Sequence, residues 1–393
     1  MDRAALAREA IADFALALVR TPSPSGQEGA VASLVREQLS ALGFDVAVDD
    51  WGNVIGTLDA GPGPCVLLDA HMDTVGVGDP ARWTRDPAGE RVGERLYGRG
   101  ALDMKGPLAA AVHGAAALAG RLQRGRVVVS ATVAEELVEG PALVRVAERV
   151  EPSVVIVCEP TDLRLARGQR GRLELQVEVR GRSTHSARPA LGVNAAEGMA
   201  DVLRALRALP APQDPLLGAG ELVVTDVLSS PYPGLSVVPD RCVATYDRRT
   251  LPGERSAAIV GEVERAATQA LAGSGAEAAV SIARDEFVTY AGAAVSAPND
   301  APAWRAEDDA PHVLAALRGL AAAGCTAPLT HYDCCTNGSG SAGVLGIPTI
   351  GLGPGDPQLA HRYDEHVELA ALATGAHAYA HVVSELLAIH DER

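Results

Sequence analysis

The sequence predicts an α/β fold in which a mostly parallel sheet carries helices on both faces and a smaller α+β module is inserted. Four short segments are apolar throughout and bounded by turn residues: 65–70, 127–133, 154–158 and 347–352. Strands that are apolar on both faces are typical of parallel sheets lying between two helix layers. Alanine-rich segments separate them, and further along the chain the apolar pattern becomes alternating.

The helices of the first domain follow from spacing and stop signals. One face of residues 1–20 is apolar: Ala7, Ile11, Phe14 and Leu18. This spacing predicts an amphipathic helix. A second helix is predicted over residues 28–42, because Gly43 supplies a stop signal. The alanine-rich segments 107–120 and 141–150 predict two more helices between the buried strands.

An inserted lid-sized module is predicted over residues 172–290. Leu173, Leu175 and Val177 alternate with polar residues, which indicates a half-exposed strand. The same alternation over 222–228 and 242–246, with a predicted helix over 194–209, favours an α+β module with helices on one side. Residues 1–171 and 291–393 then form the other domain, which ends in a helix near residue 389. Two domains also fit a chain of 393 residues at about 150–200 residues per domain.

The charge balance excludes some classes of partner. The chain has 34 basic and 50 acidic residues, a net charge of -16. Binding to nucleic acid or to an anionic membrane needs clustered cations, so neither partner is expected. The first twenty residues carry charges that a secretory signal lacks, and no apolar run approaches the roughly 20 residues of a membrane span. We therefore expect a cytoplasmic protein.

Side chains that can bind metals follow the ends of the apolar segments. His71 follows the first segment, and Glu135 and Glu136 follow the second. Glu159 follows the third, and His361 comes soon after the fourth. Because open α/β sheets bind their ligands at the carboxyl ends of the strands, we expect these side chains to meet.

Each of these signals also has an ordinary structural interpretation. Asp103 opens a predicted helix and could simply cap it. The adjacent acids Glu135 and Glu136, however, repel each other unless a cation or a proton compensates. Two histidines with several carboxylates suit a pair of zinc ions or another borderline divalent pair. Such a pair polarises a water and a scissile carbonyl together, and a neighbouring carboxylate can relay the proton.

The order of the motifs resembles metallopeptidase family M20. The motifs are His71-x-Asp73, the Gly-Arg-Gly-x-x-Asp-Met-Lys-Gly segment over 98–106, Glu135-Glu136, Glu159-Pro160 and Ala360-His361. The family includes aminoacylases, carboxypeptidase G, acetylornithine deacetylase and succinyl-diaminopimelate desuccinylase. The resemblance covers nearly the whole chain. It implies a zinc-exopeptidase type catalytic domain, an inserted lid and dimerisation domain, and cleavage of an amide bond in a small N-acyl amino acid or short peptide.

The resemblance also implies a role for each site residue. Asp103 would bridge two divalent ions, zinc in the first place and cobalt or manganese as alternatives. His71 and Glu159 would hold one ion, and Glu136 and His361 the other. Glu135 would act as general base and acid, and Asp73 would orient His71 through its ring N–H. A glutamate at position 159, where several aminopeptidases have aspartate, favours acyl-amino-acid or carboxypeptidase-like chemistry.

The inserted module contributes further candidates through the same resemblance. The segment Gly181–Ala187 matches the family's lid motif, so His185 would reach the active site of a partner subunit in a homodimer. Arg249 is a candidate for binding a substrate carboxylate, although an ordinary strand salt bridge is an equal alternative. Asn194 and Ser236 are further candidates for substrate binding. Ser236 stands where many members have asparagine, and Asn337 stands where many have aspartate.

Three other functions remain open on the sequence alone. An aminopeptidase or dipeptidase would use the same ligand set. An amide-forming acyltransferase could retain the metal site and run the chemistry in reverse. A non-catalytic homologue that binds metabolites is disfavoured, because every predicted ligand and the base are present.

Overall fold

The computed structural model describes residues 3–326 and 328–389, with side chains from Arg8 onward. The start of the predicted first helix and the side chain of Ala7 therefore lie outside the described residues. Within the described residues there are eight α-helices: α1 (Arg3–Val19), α2 (Gly29–Ala41), α3 (Lys105–Ala116), α4 (Pro141–Val150), α5 (Ala195–Arg207), α6 (Ser256–Ala270), α7 (Pro311–Ala322) and α8 (Leu369–Leu387). None of these described helices combines the length and apolarity needed to cross a bilayer.

The chain divides into two compact units. The first unit comprises Met1–Gln169, Glu286–Ser296 and Trp304–Arg393, and the second comprises Arg170–Asp285 and Ala297–Ala303. The chain thus leaves the first unit after Gln169 and returns to it in the segment that follows Asp285. Each unit has its own sheet and its own buried apolar cluster.

A nine-stranded sheet forms the centre of the first unit. In order across the sheet, eight strands are Asp45–Val48, Val54–Asp59, Arg126–Thr132, Cys65–His71, Val154–Val157, Thr349–Gly351, Leu165–Gln169 and Trp304–Arg305; the ninth, Leu329–Tyr332, pairs with Leu165–Gln169. The four strands from Arg126–Thr132 to Thr349–Gly351 run parallel, and the antiparallel pairs lie towards the edges. The predicted α/β fold with a mostly parallel central sheet is confirmed.

The central strands are buried on both faces, as their continuous apolar pattern predicts. Along Cys65–His71, Val66 and Leu68 pack into the large cluster that contains α1, α3 and α8. The alternate residue Leu67 packs with Val146 of α4 in a separate cluster. Since successive side chains of a strand point to opposite faces, these two clusters are two helix layers. The carboxyl ends of the strands stay open between the layers.

The second unit contains an antiparallel sheet with two helices. Its strands are Leu222–Ser230, Arg241–Thr250, Gly171–Arg180 and Glu277–Ile282, with Asp300–Ala301 beside Gly171–Arg180. Leu173, Leu175 and Val177 are fully buried against α5 and α6, in agreement with the predicted alternation. The strand Leu222–Ser230 does not follow the prediction of a half-buried strand. Its apolar residues Val224 and Leu228 are 43% and 55% exposed. It is an edge strand that, within the described residues, pairs with Arg241–Thr250 alone, and its first residue, Leu222, packs against the buried cluster, so alternation in its sequence did not produce burial along its length.

The remaining strands are short and form small sheets. In the first unit Glu90–Val92, Arg95–Tyr97 and His366–Glu368 form a three-stranded sheet. In the second unit two pairs occur: Thr184–His185 with Val237–Val238, and Gln213–Asp214 with Gly218–Ala219. Arg284–Val288 pairs with Ala294–Pro298.

Candidate metal centre

The predicted ligands converge at the carboxyl ends of the parallel strands. His71 is the last residue of Cys65–His71, and Glu135 and Glu136 follow the neighbouring strand Arg126–Thr132. Glu159 follows Val154–Val157 on the other side of His71. Because adjacent parallel strands end at the same edge, residues far apart in sequence become neighbours here.

Asp103 lies between the two histidines. Its Oδ1 is 3.1 Å from Nε2 of His71, and its Oδ2 is 3.2 Å from Nε2 of His361. Asp103 precedes α3, and its side chain is 12% exposed. Its two oxygens face the ring nitrogens of two different histidines. A carboxylate placed in this way can contact two cations at once.

Each histidine has a second carboxylate beside it. Oε1 of Glu159 is 3.4 Å from Nε2 of His71, and Oε1 of Glu136 is 3.2 Å from Nε2 of His361. Glu135 lies further out, with its Oε2 3.9 Å from Nε2 of His71. Asp103 thus lies between the two histidines, each with a further carboxylate beside it. Among the described residues, two overlapping groups could hold a metal ion: His71 with Asp103 and Glu136, and His71 with Glu135 and Glu159.

The spacing and chemistry of these donors fit divalent metal ions. Ligands of a tetrahedral zinc ion lie about 2.0–2.1 Å from the metal, and so about 3.3 Å from one another. The four contacts of Asp103, Glu159 and Glu136 with the histidine nitrogens span 3.1 to 3.4 Å. Imidazole nitrogens combined with carboxylate oxygens are a donor set suited to zinc and related ions.

Burial and neighbouring carboxylates together raise the pKa of two acids in the cluster. Burial, with the charge of Asp103 second, raises the pKa of Glu159 to about 7. Burial also raises the pKa of Glu135 well above its usual value, and Glu159 and Glu136 add to this. Hydrogen bonds to Asp103 and Glu136 raise the pKa of His361 to about 10. A site that retains protons in this way is one that cations would stabilise.

The turn that presents Glu135 and Glu136 is held by buried carboxylates. Ala134 has a φ of 56°, a left-handed conformation that costs about 1–2 kcal/mol for a residue with a side chain. Its backbone N–H donates to Oε1 of Glu28 at 3.1 Å. The next two N–H groups donate to Oδ1 and Oδ2 of Asp73, each at 3.1 Å. These charge-assisted hydrogen bonds offset the backbone strain and fix the position of both glutamates.

Asp73 also contacts His71, although its carboxylate is not the nearest acceptor. Nδ1 of His71 is 2.9 Å from the backbone carbonyl of Asp73 and 3.3 Å from its Oδ1. The ring N–H therefore points mainly at the carbonyl, which leaves Nε2 free to act as a ligand. The carboxylate of Asp73 mainly organises the glutamate turn, and it accepts a further hydrogen bond from Ser25 Oγ at 2.6 Å.

A buried ion pair that the sequence analysis did not single out supports the bridging aspartate. Glu365 accepts hydrogen bonds from the backbone N–H groups of Leu102 and Asp103, at 3.0 and 3.1 Å. Its other oxygen is 2.5 Å from Nη1 of Arg99, whose Nη2 donates to the carbonyl of His361. The pair thus connects the segments that carry Asp103 and His361. Arg99 lies in the Gly-Arg-Gly motif, which was the available signal; Glu365 had none beyond its position four residues after His361.

Four of the predicted site residues belong to the second unit: His185, Asn194, Ser236 and Arg249. His185 is exposed, and its Nδ1 accepts a hydrogen bond from Ala187 N. Oδ1 of Asn194 caps α5 by accepting from two backbone N–H groups, so only its amide N–H groups remain for a ligand. Ser236 lies in an exposed turn with a φ of 58°. Arg249 forms a two-point ion pair with Asp247, at 2.9 and 3.2 Å.

A cavity of about 510 Å³ opens beside the ligand groups in the first unit. Asp103, Glu159 and His361 contribute to its wall, and so do residues of the strand Leu329–Tyr332. Its size is that of a small-molecule site. The donor cluster is therefore accessible to a small ligand.

The fold and this donor set define a metal-dependent amidohydrolase. Residues 67–385 match Peptidase family M20/M25/M40, and the chain belongs to that family. The predicted family resemblance is confirmed.

Individual relatives extend over nearly the whole chain. The uncharacterized protein YgeY of Escherichia coli is 33% identical over 380 residues, which is 94% of this chain and 93% of YgeY. A [LysW]-lysine hydrolase of Deinococcus radiodurans is 31% identical over 364 residues, 90% of each chain. The solved structure of Bacillus subtilis YXEP, a dinuclear metal-binding peptidase, superposes with a TM-score of 0.71 at 16% identity, covering 98% of this chain and 99% of that chain. This last similarity concerns the fold.

Proposed function

We propose that the protein is a two-metal amidohydrolase that cleaves the amide bond of a small N-acyl amino acid or peptide-like substrate. The observation that carries the proposal is the position of Asp103, which directs one oxygen to each of two histidines. The names of the relatives support it, since one hydrolyses a lysine conjugate and another binds two metals. Zinc is the proposed metal, with cobalt or manganese as alternatives.

Glu135 is proposed as the general base and acid. Its Oε2 makes the longest of the carboxylate contacts to His71, so it is the acid least committed to ligation. When bound, the metal pair supplies Lewis-acid polarisation of the attacking water and the scissile carbonyl. Glu135 takes the proton from that water and then donates it to the nitrogen of the leaving amine. Burial raises the pKa of Glu135 above its usual value, which makes the carboxylate a stronger proton acceptor.

We further propose that the second unit is a lid and dimerisation domain. The edge strand Leu222–Ser230 exposes several apolar side chains: Val223, Val224, Val227 and Leu228. An exposed apolar edge strand is a template for pairing with another chain, and a second copy is the proposed partner. In the dimer, His185 would enter the partner's active site and stabilise the oxyanion.

The three proposed substrate-binding residues of the second unit would each bind the substrate through a different chemical group. Binding of a substrate carboxylate by Arg249 would have to displace or share Asp247, because the guanidinium already forms a two-point pair. Asn194 would act through its amide N–H groups, and Ser236 through its hydroxyl.

The catalytic proposal is tested by measuring release of free amine from N-acyl amino acids and from dipeptides. Purified protein is assayed with zinc, cobalt or manganese, and with a chelator as control. We expect metal-dependent release, faster from N-acyl amino acids than from dipeptides with a free amino terminus. Faster release from dipeptides would favour a dipeptidase. No release from any substrate, with two metals bound per chain, would leave the metal site standing and favour either a substrate outside this panel or amide synthesis.

The dimer is tested by sedimentation velocity. We expect the wild-type protein to sediment as a dimer and Leu228→Glu to sediment as a monomer, because a charge at the edge strand opposes pairing. Val344→Glu is the matched control, since Val344 is 58% exposed in the first unit. A monomeric wild-type protein with full activity would contradict both the dimer and the role of His185.

A further inference from the structure

Arg164 brings a positive charge into the cavity beside the metal centre. It lines the same 510 Å³ cavity as Asp103, Glu159 and His361, and the whole wall belongs to the first unit. None of the roles proposed above uses Arg164. Acidic residues outnumber basic ones in this chain, whose net charge is -16, yet a guanidinium lies in the wall of this cavity. Its position there suggests a role in binding a ligand.

The guanidinium of Arg164 has unused hydrogen-bonding capacity. Its Nε donates to the carbonyl of Thr161 at 3.2 Å, and within the described residues it makes no ion pair with an acidic side chain. Arg164 is half-buried, so part of its hydration is already lost. Arginine offers five N–H donors in a planar fork that matches a carboxylate. The remaining N–H groups are available to a ligand in the cavity.

The loop that carries Arg164 is held rigidly. Asp162 and Leu163 both have a φ of 55°, the left-handed region, which is costly for residues with side chains. The N–H of Asp162 donates to the carbonyl of Gly355 at 2.8 Å, and the N–H of Leu163 donates to that of Gly353 at 3.0 Å. Gly353 follows the strand Thr349–Gly351, so the loop is attached to the sheet edge that carries the ligands. Arg164 is thus pre-organised, and little ordering is needed when a ligand binds.

The other charged residues of the cavity wall are compatible with an anionic ligand. His331, on the strand Leu329–Tyr332, lines the cavity with its ring 3.5 Å from Asp333. The side chain of Asp333 is 95% exposed, so water screens its charge. Asp103 and Glu159 face the histidines of the metal centre. Arg164 is therefore the cavity-lining cation whose charge no described carboxylate pairs with.

We infer that Arg164 determines specificity by binding a carboxylate of the substrate, separate from any group that Arg249 holds. The inference rests on the proposed amidohydrolase function and narrows its substrate class to acylated amino acids with an additional carboxylate. That carboxylate belongs either to a dicarboxylic acyl group or to the side chain of the released amino acid.

Matched substrate pairs test the inference in kinetic terms. N-succinyl-alanine is compared with N-butanoyl-alanine, and N-acetyl-glutamate with N-acetyl-glutamine. Arg164→Ala should lower kcat/KM for the member with two carboxylates in at least one pair by about 10- to 100-fold, the range of a charged hydrogen bond. The partner that has only the α-carboxylate should be little changed. The affected pair identifies the source of the carboxylate. Arg149→Ala, at an exposed arginine of the first unit outside this cavity, is the control and should behave as wild type.

A binding measurement separates failure of this inference from failure of the proposed function. Calorimetry with zinc-loaded protein compares glutarate with pentanoate, which lacks the second carboxylate. We expect glutarate to bind more tightly than pentanoate to the wild type and to Arg149→Ala, and this preference to disappear in Arg164→Ala. Equal preference in wild type and Arg164→Ala, or no preference in either, would overturn the inference even if hydrolysis is observed. The preference without any hydrolysis would support the inference and count against the hydrolase.

Discussion

Replacing Asp73 by asparagine should disable the turn that presents Glu135 and Glu136. The carboxylate is fully buried and accepts hydrogen bonds from the backbone N–H groups of both glutamates and from Ser25 Oγ. The amide nitrogen of asparagine cannot accept, so at least one buried N–H loses its partner, at a cost of roughly 1–3 kcal/mol. The remaining bonds also lose their charge assistance, and the total cost is about 2–4 kcal/mol of stability.

The same change should reduce activity. A catalytic group displaced by about 1 Å can lose about 100-fold in rate, so kcat/KM of Asp73→Asn should fall by roughly that factor. The metal content should also fall below two ions per chain, because Glu136 is carried by the same turn. Amine release, metal analysis by mass spectrometry and urea unfolding measure the three effects.

A neighbouring buried aspartate provides the control for this experiment. Asp69 lies on the strand Cys65–His71, four residues before Asp73, and accepts hydrogen bonds from Ser130 and Asn337 rather than from the glutamate turn. Asp69→Asn should therefore keep kcat/KM within about threefold of wild type, as expected for a residue that makes no transition-state contact. If Asp73→Asn also stayed within that range and retained both metals, the role assigned to its carboxylate would be refuted.

Three further predictions address the same centre. Glu135→Ala should nearly abolish turnover with metal content unchanged; loss of metal or a near-normal rate would show that the base is misassigned. Ala134→Gly should leave the urea midpoint nearly unchanged, because relief of about 1–2 kcal/mol of left-handed strain offsets the added chain entropy and the loss of a methyl group that is buried in the core; a large fall in the midpoint would contradict the strain. Without a cation, burial raises the pKa of Glu159 to about 7, and hydrogen bonding to Asp103 raises that of His361 to about 10. His361 therefore keeps its proton below a pH of about 10 and Glu159 below about 7, so zinc should displace protons and bind more weakly as the pH falls through this range. Calorimetry in two buffers measures the protons released, and zero proton release would refute this prediction.

The strand pattern could be predicted because burial on both faces leaves a continuous apolar signal. The segments 65–70, 127–133 and 154–158 correspond to Cys65–His71, Arg126–Thr132 and Val154–Val157. The edge strand Leu222–Ser230 shows the limit of such reasoning. Its alternation is that of a half-buried strand, yet most of its side chains are exposed, because it lies at an edge of the sheet and no local pattern records that position.

The position of the candidate site followed from topology, but its supporting contacts did not. Acids and histidines after buried strands indicate a metal centre because parallel strands end at one edge. The ion pair of Arg99 with Glu365 joins residues 266 positions apart. Neither residue has a spacing or composition signal for this contact, because the geometry of two loops creates it.

The sequence by itself determined the fold class, the family and the set of candidate ligands, because these depend on residue type and on periodicity. Only the tertiary structure decided which atoms face one another. It directed the two oxygens of Asp103 to different histidines, and it paired Arg249 with Asp247. It also placed Arg164 in the cavity wall without an acidic partner among the described residues. Such choices depend on distances of a few ångströms between loops, and loop paths are set by packing of the whole unit rather than by local sequence.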